Sequence, residues 1–243
     1  MSGRHLLVLG DSLTFHGPER PEVPTDPRLY PNVAAAALGE DVAVDLLARA
    51  GWTARDAWWA LTRDPVAWGV YLPRASAVVL SVGHMDALPA AIPGWARDSI
   101  AYLRPGSVRR RARVAYGRWG PPVIRATRGR MRQLPQRATD HYLARLVAGV
   151  RHWRPDAPVV LLGPSPHDAA LYPSQRHHEA AVAAARLWAA THDVAFLDID
   201  PLVRPSLVDG TANPDGMHWS WTAHRRVGEA LGASLAAELG GTT

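Results

Sequence analysis

Ser12, Asp215 and His218 carry the clearest chemical potential in the chain. Ser12 follows an apolar run in HLLVLGDSL at residues 5–13, and Asp215 and His218 stand three positions apart in NPDGMHWSW at 213–221. A serine hydroxyl is inert at neutral pH. It becomes a nucleophile when an imidazole takes its proton and an acid orients that imidazole. The short spacing lets one turn offer a carboxylate and an imidazole to the same point. The expected chemistry is acyl transfer through an acyl-serine, with water or a bound alcohol as final acceptor. Asp11, just before Ser12, is expected to hold the turn.

These residues need a frame. Five apolar, β-branched runs predict buried strands at 5–10, 42–48, 77–82, 158–163 and 194–199. Near-continuous runs of this kind suit a parallel sheet covered on both faces. Helical patterns occupy 30–38, 138–153, 176–192 and 222–238, and Thr53 is placed to cap a helix running through Trp58 and Trp59 to about Leu61. Strand–helix alternation with right-handed crossovers predicts an α/β fold, a three-layer α/β/α sandwich forming one domain over 1–243. In such open sheets, sites form beyond the carboxyl ends of the strands. Ser12 lies just past the first strand, and Asp215 and His218 fall between the last strand and the last helix. Two segments break the rhythm: a proline-rich loop at 16–31, and a long insertion at 87–137 expected to act as a lid or binding element.

GDSL at 10–13 and DGMH at 215–218 resemble the first and last motif blocks of the SGNH/GDSL hydrolase superfamily. The resemblance covers nearly the whole chain in motif order. It implies a flavodoxin-like, mainly parallel five-stranded sheet, Ser12 as nucleophile, His218 as base and Asp215 as the orienting acid. It also implies an oxyanion hole built from the N–H groups of Ser12 and Gly51, the latter in ARAGWT at 48–53. The family's third block, Gly-x-Asn-Asp, reads SVGHMDA at 81–87, so Gly83 and Asp86 match but Met85 replaces the asparagine. A thioether cannot donate a hydrogen bond. His84 is the expected substitute, as oxyanion donor or substrate contact. Asp11, Asp86 and Trp219 are further candidate substrate contacts.

The chain is 47% hydrophobic, ample for a core, and has no cysteine, which excludes disulfides, zinc–thiolate sites and a cysteine nucleophile. No run approaches a membrane span, and the short apolar start does not read as a secretory leader, so a cytoplasmic protein is expected. The net charge is +5, and every basic residue is arginine. Arg104, Arg109, Arg110, Arg111, Arg113, Arg118, Arg125, Arg128, Arg130, Arg132 and Arg137 crowd a stretch with no acid between Asp98 and Asp140. Arginine forks bind carboxylates and phosphates. Arg109, Arg110 and Arg111 are therefore candidate contacts for an anionic donor such as an acyl-CoA, or for an acidic acceptor. His177, His178 and Glu179 are adjacent, point in different directions on a helix, and are read as a solvated face rather than a metal site; no metal or bound cofactor is expected.

Within the superfamily, LGDSLTFHGPE, SVGHMDALP, NPDGMHW and the arginine insertion resemble a branch of sugar acyltransferases. That resemblance implies octanoyl-CoA as donor and a hydroxyl of diglucosylglycerate, an anionic glucosylglycerate, as acceptor. Two other readings remain open. One is an esterase or thioesterase of the same fold. The other is a degenerate protein that binds an anion or RNA, although no nucleic-acid reading motif accompanies the arginines.

Overall fold

The computed structural model describes residues 4–240. Five strands, β1 (Arg4–Gly10), β2 (Val42–Ala48), β3 (Ala77–Ser81), β4 (Val159–Leu162) and β5 (Ala195–Leu197), form one parallel sheet in the order β2-β1-β3-β4-β5. Among the described residues ten α-helices accompany them: α1 (Tyr30–Leu38), α2 (Ala54–Arg63), α3 (Leu72–Arg74), α4 (His84–Ala87), α5 (Gly94–Ser99), α6 (Gly106–Ala126), α7 (Gln136–Trp153), α8 (His178–Thr191), α9 (Asp200–Val208) and α10 (Trp221–Gly240). This is the expected three-layer α/β/α sandwich with flavodoxin-like strand order. In that order the topological switch point lies between β1 and β3.

The strands are apolar on both faces because both faces are covered. Leu7, Leu9, Val78, Leu80 and Leu161 look one way, into a core shared with Leu61 of α2, Leu146 of α7 and Trp188 of α8. Leu6, Val8, Val79, Val160 and Leu162 look the other way, toward Tyr30 of α1 and Val227 and Leu231 of α10. Each such side chain contributes roughly 1.5–3 kcal/mol by leaving water. The α2 start is fixed by a capping box: the Thr53 side chain accepts from the Asp56 amide while the Asp56 carboxylate accepts from Thr53.

Register sets the site. Gly10 is level with Ala48 on one side and Ser81 on the other, so β1, β2 and β3 end together. The residues after each are delivered to one edge. The insertion is a helical excursion from that edge. Backbone bonds from Ala90 to Met131, Gln133 to Leu88 and Leu134 to Asp86 close its base, and α6 runs outward with only Gly120 and Ile124 buried.

The solvated-face reading at the start of α8 is corrected for one residue. His178 is buried against Asp200, Nε2 to Oδ2 2.6 Å, whereas the His177 Nε2–H donates to the Gly129 carbonyl and Glu179 is exposed. The three side chains serve different neighbours.

Candidate active site

The turn after β1 is built to present Ser12. Asp11 caps a single 3-10 turn, Ser12–Thr14, its carboxylate accepting the Leu13 amide at 2.9 Å. Gly10 is required beneath it, because the Thr14 hydroxyl fills the space where a Cβ would stand. Burial pushes the Asp11 carboxyl up to about 7, helped by the nearby Asp86 and opposed by the Leu13 amide. As the first residue of a helical turn, Ser12 keeps an amide with no intrahelical acceptor.

The loop before α10 brings the other two residues to it. His218 Nε2 lies 2.9 Å from Ser12 Oγ, and His218 Nδ1 lies 2.6 Å from Asp215 Oδ2. The second Asp215 oxygen accepts the amides of Met217, at 2.8 Å, and His218, at 3.0 Å. Gly216 makes this turn possible. It sits at φ +70, and a Cβ there would collide with the backbone of Asp168. Burial works against the Asp215 charge, but the two amides and the imidazole outweigh it and hold the carboxyl below its usual range. Burial pulls the His218 pKa down, Asp215 opposes this, and the charge of a nearby histidine, His16, adds to the fall. A neutral imidazole between a hydroxyl and a carboxylate can accept the hydroxyl proton as an acyl bond forms.

His16 escaped notice in the sequence. It opens the proline-rich loop, and its ring stacks on His218 with centroids 3.7 Å apart and planes 19° from parallel. Its Nδ1–H donates to the Gly17 carbonyl at 2.6 Å, its amide donates to the Ser12 carbonyl at 2.8 Å, and its own carbonyl accepts from His224 Nε2–H at 3.0 Å. His224 is fully buried and held neutral, its pKa pulled down to about 4 by burial. The chain of contacts fixes the plane of the His218 ring. His16→Ala is expected to lower kcat by roughly 10- to 100-fold through misorientation of the base. His16→Phe keeps a face to stack on but carries no charge. Its acid limb in kcat/KM should move to higher pH, because a charge that holds the His218 pKa down is gone. Wild-type kcat and an unmoved limb in both variants would make the stack idle packing.

A narrow cleft lies against Ser12. Leu13, Met85, Leu88, Pro166 and Met217 give it apolar walls, and Asp11, His84, Ser165 and His167 supply polar groups. Gly51 is in the turn after β2 at φ +77, one strand away from the Ser12 turn, and is not among the residues lining this cleft. His167 was also missed. It is buried, and burial lowers its pKa to about 4, so it is a neutral imidazole.

Six expected substrate or oxyanion contacts are placed differently by the structure. His84 is a buried strut: Nδ1 accepts the Ser165 amide at 3.0 Å and Nε2 faces Ser81 Oγ at 3.4 Å, which leaves no nitrogen for an oxyanion. Burial drops its pKa to about 3. Asp86 has no exposed surface. It accepts the Ala54 amide at the start of α2 and the Thr139 hydroxyl of α7, tying two helices to α4, the short helix that follows β3. Burial raises its carboxyl to about 6. Trp219 is core, fully buried, with Nε1–H donating to Ser165 Oγ at 3.0 Å. Arg109, Arg110 and Arg111 lie near the outer end of α6 and do not line the Ser12 cleft.

The triangle of Ser12, His218 and Asp215 at the sheet edge coincides with a family match over residues 8–226, to the GDSL-like lipase/acylhydrolase family. The chain belongs to this family. It is an enzyme. Diglucosylglycerate octanoyltransferase of Mycolicibacterium hassiacum is 42% identical over 240 residues, covering 97% of each chain. The protein of that name from Mycobacterium tuberculosis is 40% identical over 235 residues, 95% of this chain and 92% of that one. Among solved structures, the lipase/acylhydrolase from Enterococcus faecalis superposes with a TM-score of 0.65 over 96% of both chains at 18% identity, a likeness of fold. The GDSL fold thus explains why Ser12 and His218, distant in sequence, meet at one edge.

Proposed function

We propose that this enzyme moves an octanoyl group from octanoyl-CoA to a sugar hydroxyl of diglucosylglycerate through an acyl-enzyme on Ser12. The reading is carried by 40–42% identity, over nearly the whole chain, to relatives that bear the octanoyltransferase name. His218, oriented by Asp215, takes the Ser12 proton as Oγ attacks the thioester carbonyl. The tetrahedral intermediate collapses, the carbonyl re-forms and CoA leaves as its thiol with that proton. His218 then takes a proton from the sugar hydroxyl, whose oxygen attacks the acyl-serine, and returns it to Ser12 as the new ester departs. The amides of Ser12 and Gly51 are the proposed oxyanion donors, and the neutral His167 imidazole is the candidate that replaces the donor lost at Met85. That thioether instead joins Leu13, Leu88 and Met217 in an apolar wall suited to the acyl chain. Among the described residues no helix is long and apolar enough to cross a membrane. The cytoplasm, where an acyl-CoA is at hand, is part of the proposal.

Intact-mass analysis after exposure to octanoyl-CoA alone tests it. An octanoyl adduct on Ser12, discharged onto diglucosylglycerate when that acceptor is added, is expected. Release of free octanoate at the same rate with and without the acceptor would instead make the enzyme a thioesterase.

A further inference from the structure

The catalytic reading leaves the arginine-rich helix α6 unused. Of its 21 residues, only Gly120 and Ile124 are buried. Those two define the side turned to the body. Val108, Ala112, Ala115, Trp119 and Val123 recur at helical spacing and form a separate stripe. Trp119 and Val123 each precede a buried residue by one position, a rotation of about 100° around the helix. The stripe therefore faces water: Val108 is 41% exposed, Trp119 62% and Val123 38%. Arg111, Arg118 and Arg125 recur every seven residues and run along one flank of it. The Arg118 guanidinium also lies over the Trp119 ring, 5.6 Å from its centroid. With no acid between Asp98 and Asp140, the row has no neutralising partner on its own element.

An apolar stripe edged by uncompensated arginines fits a surface that is apolar at depth and anionic at the rim. The interface of an anionic bilayer has that profile. The tryptophan and valines enter the acyl boundary while the guanidinium groups stay level with the phosphates. A helix of 21 residues is about 30 Å long. Its charge forbids a span and favours lying in the plane. We propose that α6 docks the enzyme on an anionic lipid surface. The proposal stands apart from the catalytic reading, because it uses no residue of the Ser12 site. It also gives the crowded arginines a role that the Ser12 cleft does not offer.

Co-sedimentation of the full chain with vesicles tests it, comparing phosphatidylglycerol–phosphatidylcholine mixtures with phosphatidylcholine alone. Binding to the anionic vesicles, fading as salt rises, is expected. Each of Arg118→Gln and Arg125→Gln should weaken it roughly fivefold. Trp119→Ser should weaken it by a similar or larger factor. The melting temperature of each of these variants should match the wild type, which shows that they fold. No vesicle binding at low salt overturns the proposal, as does equal binding to neutral and anionic vesicles. So does a dimer in solution that Trp119→Ser dissociates, since a second copy would then be what covers the stripe.

Discussion

Replacing Ser12 with alanine is expected to abolish octanoyl transfer, with kcat falling by on the order of 10⁵- to 10⁶-fold. The effect should be confined to chemistry. The Ser12 side chain reaches one neighbour, His218 Nε2 at 2.9 Å, and the turn beneath it is held by Asp11 and by backbone bonds that alanine keeps. The amide that would face an oxyanion also stays. Thermal stability should therefore stay close to that of the wild type. Binding of octanoyl-CoA, measured by calorimetry, should change little, because the hydroxyl matters in the transition state rather than in the ground state. Single-turnover transfer by purified Ser12→Ala is the decisive measurement. A rate within about 100-fold of wild type would mean that the sugar hydroxyl attacks the thioester directly, with His218 as base and no acyl-enzyme. Loss of both binding and stability would point instead to a structural serine.

Much of the frame was legible because it rests on local, repetitive signals. Apolar runs marked all five strands, and the observed β2 and α1 match the expected bounds of 42–48 and 30–38. Helices hidden by proline were harder to see. α9 starts with Pro201 at its first turn and contains Pro205, and α6 contains Pro121 and Pro122, so neither segment carried a helix assignment from its pattern. Proline is compatible with a helix start, but within a helix its tolerance depends on tertiary surroundings that no local pattern reveals.

The site divides the same way. The approach of Ser12 to His218 was readable, because a nucleophile, a base and an acid must meet and the sheet has one edge at which to do so. The fate of polar residues beside them was not. His84, Asp86 and Trp219 sit in motif positions next to the site, yet their hydrogen bonds turn inward, to Ser165, Ala54 and Thr139. Which way a side chain turns is decided by neighbours distant in sequence. His16 was missed for the same reason. Its position at the head of a proline-rich loop gives no hint that the loop folds it over His218. A second histidine four residues after the nucleophile was the one available signal.

Asp215→Asn is expected to cost about 10⁴-fold in kcat without disturbing the fold. The reason is the division of labour between the two carboxylate oxygens. Oδ1 accepts two backbone amides, from Met217 and His218, and Oδ2 accepts from His218 Nδ1. An asparagine has one acceptor oxygen and one donor nitrogen. The oxygen must stay with the two amides, since a donor there would leave three N–H groups facing one another. The NH₂ then points at His218 Nδ1, which can only accept. The imidazole proton moves to Nε2, where it faces Ser12 Oγ and blocks the transfer on which attack depends. The variant should show the wild-type melting temperature and substrate affinity, and acylation by octanoyl-CoA that is slow in single-turnover kinetics. Asp215→Ala makes a useful partner, because it removes the orienting group without imposing the wrong tautomer. If Asp215→Asn retained more than about a tenth of the wild-type rate, the tautomer of His218 would not be under the control of Asp215. Orientation of the base would then fall to the stacked ring of His16, and the His16→Ala and Asp215→Asn effects would have to exchange rank.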